Sequence, residues 1–117
     1  MSNLQIIGFD VNEGISRVGG EESFYLELLQ QFAEENEQLI TKMHDNIQDN
    51  DLKTAHNLIH TFKGGCTILA AHQLQRYAYQ LQIAIKEEQT DSYDTLLDKI
   101  EQDLNSSIRS ILNLNTQ

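Results

Sequence analysis

Residues 52–69 read LKTAHNLIHTFKGGCTIL, and their apolar spacing predicts the fold class of the whole chain. Apolar residues recur at alternating intervals of three and four, which places them along one side of an α-helix. A single seam of this kind is typical of helices in bundles. The seam continues through Gly64 and Gly65, so we expect the helix to include both, although each glycine destabilises it by about 1 kcal/mol relative to alanine. The seam residues are Leu52, Ala55, Ile59, Phe62, Cys66 and Leu69.

The segments on either side have similar periodicity, and the chain contains no proline. Asp10 followed by Glu13 resembles a capping box and predicts a short helix over about residues 10–18. A polar segment around Asn36 interrupts the apolar pattern of the next helix, and the Asp49-Asn50-Asp51 run supplies an N-cap for the helix after it. The longer helices are predicted at about 21–48, 51–69, 71–88 and 92–112. The sequence therefore predicts an all-α domain over residues 1–117, an antiparallel up-down-up-down four-helix bundle with a short additional N-terminal helix.

Length and charge exclude several classes of function. The 117 residues fit one domain, and no apolar run reaches the roughly eighteen residues that a membrane span requires. With no export leader at the N-terminus, we expect a monomeric cytoplasmic protein without direct membrane contact. The net charge of -10 argues against binding to nucleic acid. The single cysteine, Cys66, excludes an internal disulfide and is expected in the core.

The charge is distributed unevenly along the chain. Residues 52–86 contain no Asp or Glu, but they contain three of the four histidines and four cationic side chains. Either this arises by chance in a helical protein, or this part of the surface docks an anion or an acidic partner. The cationic residues are Lys53, Lys63, Arg76 and Lys86, and the histidines are His56, His60 and His72.

His60 is predicted to lie on the surface of its helix, because it points about 130° away from the seam. Gly64 follows one turn later in a similar direction, and Lys63 falls between His60 and the seam. A neutral imidazole is nucleophilic at pH 7 without a general base, and a neighbouring ammonium can neutralise phosphoryl oxygens. No glycine-rich nucleotide motif occurs, so a phosphoryl group must come from another protein or domain. These residues predict a phosphocarrier that does not use ATP itself.

Most of the chain resembles histidine-containing phosphotransfer (HPt) domains. AHNLIHTFKGGCTILAAHQL, residues 55–74, resembles their signature, in which the histidine is followed by lysine at +3 and glycine at +4. The lead-in GFDVNEGISRVGGEESFYLELLQQF, residues 8–32, is similar to that of HPt domains in bacterial hybrid sensor histidine kinases. Ile59 and Ala70 depart from the pattern, where the family often has Ala and Gly, and this puts partner preference in doubt rather than activity.

The resemblance implies a four-helix bundle that carries phosphoryl groups between aspartates of response-regulator receiver domains, with His60 as the phosphorylated residue. It also implies that Mg²⁺ belongs to the receiver and that this chain holds no cofactor of its own. The resemblance also implies a hybrid sensor kinase, in cis or in trans, as a further candidate partner. The alternative location is then that of a cytoplasmic domain of a membrane-bound sensor kinase. We expect the receiver to use apolar side chains on this face, with Leu58, Ile68 or Leu69 as candidates.

Helix geometry adds predictions for three residues near His60. If the chain reverses at about residues 70–71, antiparallel packing places Gln82 level with His60, where its amide can orient the imidazole; a solvated glutamine is the alternative. Gly64 is predicted to give a partner clearance over His60. Gly65 points about 100° away from Gly64 around the helix axis, and we expect it to allow a neighbouring helix to approach.

Two other functions are compatible with these residues. His56 and His60 have the i, i+4 spacing of metal ligands on a helix, but two ligands do not make a site and no acidic residue is near in sequence, so we expect no metal. The second alternative is a non-catalytic helical adaptor in which His60 is incidental. An adaptor would bind its partner equally well after His60→Gln and would carry no acid-labile phosphate.

Overall fold

The structure, a computed structural model, describes residues 2–114. All regular structure in this range is helical, which confirms the predicted helical bundle with an additional N-terminal helix. None of the helices in this range is both long and apolar enough to cross a membrane. The helices are α1 (Val11–Arg17), α2 (Glu22–Glu35), α3 (Leu39–Gln48), α4 (Leu52–Leu69), α5 (His72–Lys86) and α6 (Tyr93–Asn113), with a 3₁₀ turn at Thr90–Ser92.

The central helix α4 contains both glycines, as its apolar seam predicts. It packs against α3 on one side and α5 on the other, and α6 closes the bundle by packing against both α5 and α2. Five of the six seam residues are buried and Leu52 packs partly buried against them. Cys66 is fully buried, and this burial raises the pKa of its thiol. The seam therefore forms the centre of the core.

The predicted helix over residues 21–48 is wrong as a single element, because the structure divides it into α2 and α3. The interruption covers residues 36–38. Both the backbone N–H and the side-chain amide of Asn36 donate to the carbonyl of Phe32, at 3.2 and 2.8 Å. An asparagine side chain that competes for backbone partners in this way favours helix ends. The polar segment that interrupts the apolar pattern thus marks a break in the helix itself.

The N-terminal segment binds the carboxyl end of α4, where carbonyl groups lack partners within the helix. The N–H of Asp10 donates to the carbonyl of Ala70 at 3.0 Å. The buried Tyr25 hydroxyl donates to the carbonyl of Leu69 at 2.8 Å, and the Arg17 guanidinium donates to that of Thr67. Ala70 itself has a left-handed backbone (φ 62°), the conformation for which glycine is the usual residue. These contacts fix the end of the helix that carries His60.

Gly14 is the position on α1 where this docking requires a glycine. A Cβ there would lie 2.4 Å from Cε1 of Tyr25 and 2.8 Å from the carbonyl oxygen of Leu69. Real Cβ atoms essentially never approach other atoms so closely. The predicted cap of α1 is present, since Asp10 Oδ1 accepts from the N–H of Glu13 at 3.2 Å. The cap starts the helix and the glycine allows it to pack.

Candidate functional site

His60 is exposed on the surface of α4 and faces Gln82 on α5. Nε2 of the Gln82 amide lies 3.1 Å from Nδ1 of the imidazole. The two helices are joined by only two residues, so they run antiparallel and bring these positions level. The predicted pairing of Gln82 with His60 is therefore present in the structure.

The orientation of the Gln82 amide is linked to the tautomer of His60. With Nε2 of the glutamine next to Nδ1, the amide donates, and the imidazole proton lies on Nε2 of His60. A half-turn of the amide places Oε1 of Gln82 next to Nδ1 of His60 instead. Nδ1–H of His60 then donates to this oxygen, and Nε2 of His60 keeps a free lone pair. Oε1 is buried and has no hydrogen-bond partner among the described residues. The outward lone pair of His60 therefore depends on one side-chain rotation in α5.

His56 is part of the same cluster. Its ring lies nearly parallel to that of His60, at an interplanar angle of 5° and a centroid distance of 6.3 Å. Its Nε2 lies 3.4 Å from Nε2 of Gln82, a long contact compared with the one to His60. The i, i+4 spacing predicts that the two histidines share a face, but not that both approach one amide. His56 is therefore a second imidazole within reach of the Gln82 amide.

Lys63 follows His60 by three residues and is half-buried. Its Nζ lies over the ring of Tyr79, 5.2 Å from the centroid. Among the described residues no carboxylate lies within ion-pair distance of this ammonium. Tyr79 is 54% exposed, and sequence reasoning did not identify it, because an exposed aromatic residue on α5 gives no periodic signal. One turn of α4 from His60, the structure thus has a cation that pairs with no acidic residue among those described.

The two glycines of α4 differ in their surroundings. A Cβ on Gly64 would meet no atom within 4 Å, so this backbone is open to an approaching molecule. A Cβ on Gly65 would lie 3.6 and 3.8 Å from the Phe32 ring, which are ordinary contact distances. The neighbouring helix α2 does approach Gly65, as expected, but the space left there would accommodate a Cβ. Neither glycine is needed by the fold, and Gly64 shares the side of α4 that His60 occupies.

A shallow apolar groove of about 210 Å³ lies between α2 and α4, next to Gly65. Ile68 lines the groove and is 53% exposed, which makes it the most accessible apolar side chain on α4. Leu58 is only half-buried, whereas Leu69 is buried in the core and is unable to serve as a surface contact. The prediction that Leu69 contacts a docking partner is therefore wrong, whereas Leu58 and Ile68 remain accessible.

Among the described residues, one group of side chains has the composition of a metal site. Ligand atoms of Asp10, Glu13 and His72 lie within 4.8 Å of one another. Glu13 contacts His72 and also pairs with Arg17 at 3.2 Å, while Asp10 caps α1. Their polar atoms have partners in the protein, so the cluster joins α1 to the start of α5 and we assign no ion to it.

Comparison with known proteins identifies one family. A family model described as Hpt domain matches residues 27–110, more than half of the chain. The matched range contains His60, Lys63, Gly64 and Gln82. No curated protein and no solved structure matches the chain.

Proposed function

The chain belongs to the Hpt domain family, whose members carry out histidine phosphotransfer and interact with receiver domains in phosphorelays, and on that premise we propose a role for His60. His60 accepts a phosphoryl group from the aspartate of one receiver domain and passes it to the aspartate of another. The observation that carries this proposal is the contact between the exposed His60 imidazole and Gln82, at 3.1 Å. An incidental surface histidine has no need of a partner that fixes its tautomer.

The transfer needs a free lone pair on the outward nitrogen of His60. In the orientation that supports reaction, Oε1 of Gln82 accepts from Nδ1–H and Nε2 attacks phosphorus. A nitrogen–phosphorus bond forms while the bond from phosphorus to the aspartate oxygen breaks, and the aspartate leaves as a carboxylate. The proton on Nδ1 stays on the ring throughout. Because the imidazole attacks without losing a proton, no general base is required in this chain.

Charge near His60 assists the same step. The phosphoryl oxygens carry negative charge that Lys63 can stabilise, since its ammonium is one turn away and has no carboxylate partner among the described residues. We expect Mg²⁺ to be held by the acidic pocket of the receiver, because the histidines, lysine and glycine around His60 do not offer the carboxylate ligands that this ion prefers. The two proteins thus make different contributions, since this chain supplies the nucleophile and one cation while the receiver supplies the metal ion.

The receiver docks across the exposed side of α4. Gly64 leaves bare backbone beside His60, so the receiver's active site can close over the imidazole without meeting a side chain. Ile68 and the groove between α2 and α4 supply apolar contact area near it. The segment 52–86 has four cations and no acid, which favours the acidic active-site surface of a receiver.

Reconstitution of the relay tests this function. A phosphorylated receiver, a second receiver and Mg²⁺ are mixed with the wild-type chain or with His60→Gln. We expect label to reach the second receiver only with the wild-type chain. An adaptor that merely brings the receivers together would act equally well after the substitution, and equal transfer with both proteins would overturn the proposal.

A further inference from the structure

Two facing pairs of residues join α4 and α5 at the site. His60 faces Gln82, and three residues along each helix Lys63 faces Tyr79. The first pair fixes the nucleophile. The second has no evident role in the core, because the Tyr79 ring is 54% exposed.

An aromatic ring differs from a carboxylate as a partner for lysine. The face of the ring attracts the ammonium electrostatically but does not remove its charge. The three N–H donors of Lys63 also remain available to other acceptors. A carboxylate in place of Tyr79 would form a charge-assisted hydrogen bond and occupy one or more of these donors. The sequence avoids this, since no Asp or Glu occurs in residues 52–86.

Lysine also has a long flexible side chain, and its free ammonium samples many positions in water. Contact with the Tyr79 ring, at 5.2 Å from Nζ to the centroid, restricts that freedom on the side of α4 that faces α5. Gln82 lies about one turn along α5 from Tyr79, so the pair of Lys63 and Tyr79 is next to the pair of His60 and Gln82 on these two helices.

We propose that Tyr79 is a positioning residue for phosphoryl transfer, which holds Lys63, one turn of α4 from His60, as a full charge with free donors. This inference rests on the proposed function, because it concerns the rate at which His60 gains the phosphoryl group. It predicts that the ring face matters and the hydroxyl does not.

Three substitutions of Tyr79 separate these properties. The rate of transfer from a phosphorylated receiver with Mg²⁺ is measured for each purified variant. Tyr79→Phe keeps the ring face and is expected to match the wild type. Tyr79→Leu is expected to lower the rate about two- to fivefold, the range that corresponds to one exposed cation–π contact. Tyr79→Glu keeps Lys63 in place but neutralises it, and is expected to lower the rate at least as much as Tyr79→Leu.

The same comparison in a Lys63→Gln background shows whether Tyr79 acts through Lys63. If it does, Tyr79→Leu has no further effect once the ammonium is gone. If the Tyr79 ring instead touches the receiver directly, Tyr79→Leu would lower the transfer rate by the same factor in both backgrounds. That result would overturn the inference. So would equal rates for the wild type and Tyr79→Leu. Failure of the wild type to gain any label is a distinct result, which would overturn the proposed function and this inference with it.

Discussion

At the scale of single residues, the outward nitrogen of His60 is governed by its neighbour Gln82. The two residues are 22 positions apart in sequence and meet at 3.1 Å because α4 and α5 are antiparallel. In the proposed transfer, the tautomer of His60 decides whether Nε2 can attack phosphorus, and the orientation of the Gln82 amide favours one tautomer. We therefore propose Gln82 as a positioning residue and His60 as the residue that forms the bond to phosphorus.

Gln82→Ala should lower the rate of His60 phosphorylation by about fivefold, since one hydrogen bond contributes on the order of 1 kcal/mol. Nitrogen-15 NMR of the imidazole provides the second measurement. We expect the neutral wild-type ring to carry its proton on Nδ1, which requires the Gln82 amide to be turned by half a turn from its orientation in this structure, and we expect the variant to lose this preference. Gln80→Ala, on the exposed face of the same helix, is the control and should resemble the wild type. A wild-type ring protonated on Nε2 would contradict the assigned role.

Gly64 and Gly65 differ in what replacement by alanine should do. Neither Cβ would clash with this chain, so each alanine should raise the free energy of unfolding by up to about 1 kcal/mol, measured in urea. Gly64→Ala should nevertheless slow transfer from the receiver, because its methyl group projects next to His60. A protein that becomes more stable and slower at once cannot have lost activity through unfolding. A Gly64→Ala variant that transfers at the wild-type rate would show that clearance is not needed there.

At the scale of helices, the position of α4 depends on the N-terminal segment. Carbonyls at the end of α4 accept hydrogen bonds from Asp10, Arg17 and Tyr25. The docking is close enough that Gly14 has no room for a methyl group. The first helix is thus more than an addition to the bundle, because it completes the end of the helix that carries the site.

Gly14→Ala should destabilise the protein by about 1–3 kcal/mol, the usual cost of overpacking. Urea unfolding gives the value, and hydrogen exchange at the amides of α1 shows whether that helix separates from the bundle. Ser16→Ala, an exposed position on the same helix, provides the matched comparison and should change stability little. The docking account would be contradicted by a Gly14→Ala protein as stable as the Ser16→Ala protein.

The helices also show how far sequence reasoning reaches. The seam of α4 and the caps at Asp10 and Asp51 are local patterns, and the structure contains all three. The break at Asn36 was not predicted, because apolar residues continue in helical spacing on both sides of it. The roles of Gly14 and Tyr79, and the contact of His56 with the Gln82 amide, were missed for another reason. Their roles depend on atoms from other helices, and sequence spacing within one helix carries no information about those distances.

At the scale of the whole molecule, the buried core makes stability depend on alkaline pH. Burial raises the pKa of the Cys66 thiol above its ordinary value of 9.0. It likewise raises the pKa of Tyr25 above 10.0, and the charge of Asp10 adds to this effect. Above these ordinary values the folded protein binds more protons than the unfolded chain does. The stabilisation is therefore fully present below about pH 9 and decreases as the pH rises further.

Cys66→Ala tests this dependence without relying on absolute stability. The free energy of unfolding of the wild type should fall above pH 9, with Cys66 contributing at most about 1.4 kcal/mol per pH unit. The variant is less stable at neutral pH because it loses buried volume, but its stability should fall less steeply between pH 9 and 10. Equal slopes for the two proteins would show that the thiol titrates normally in the folded state.

Along α4 the bundle presents the exposed His60 imidazole, the Lys63 ammonium and the open backbone of Gly64. The most direct test of this account is to identify the phosphorylated atom. The protein is incubated with a phosphorylated receiver and Mg²⁺, and the label is mapped by mass spectrometry and phosphorus NMR in the wild type, His56→Gln and His60→Gln. We predict one acid-labile phosphoryl group on Nε2 of His60, retained in His56→Gln and absent from His60→Gln. Label of the same amount on the His60→Gln protein would contradict the account.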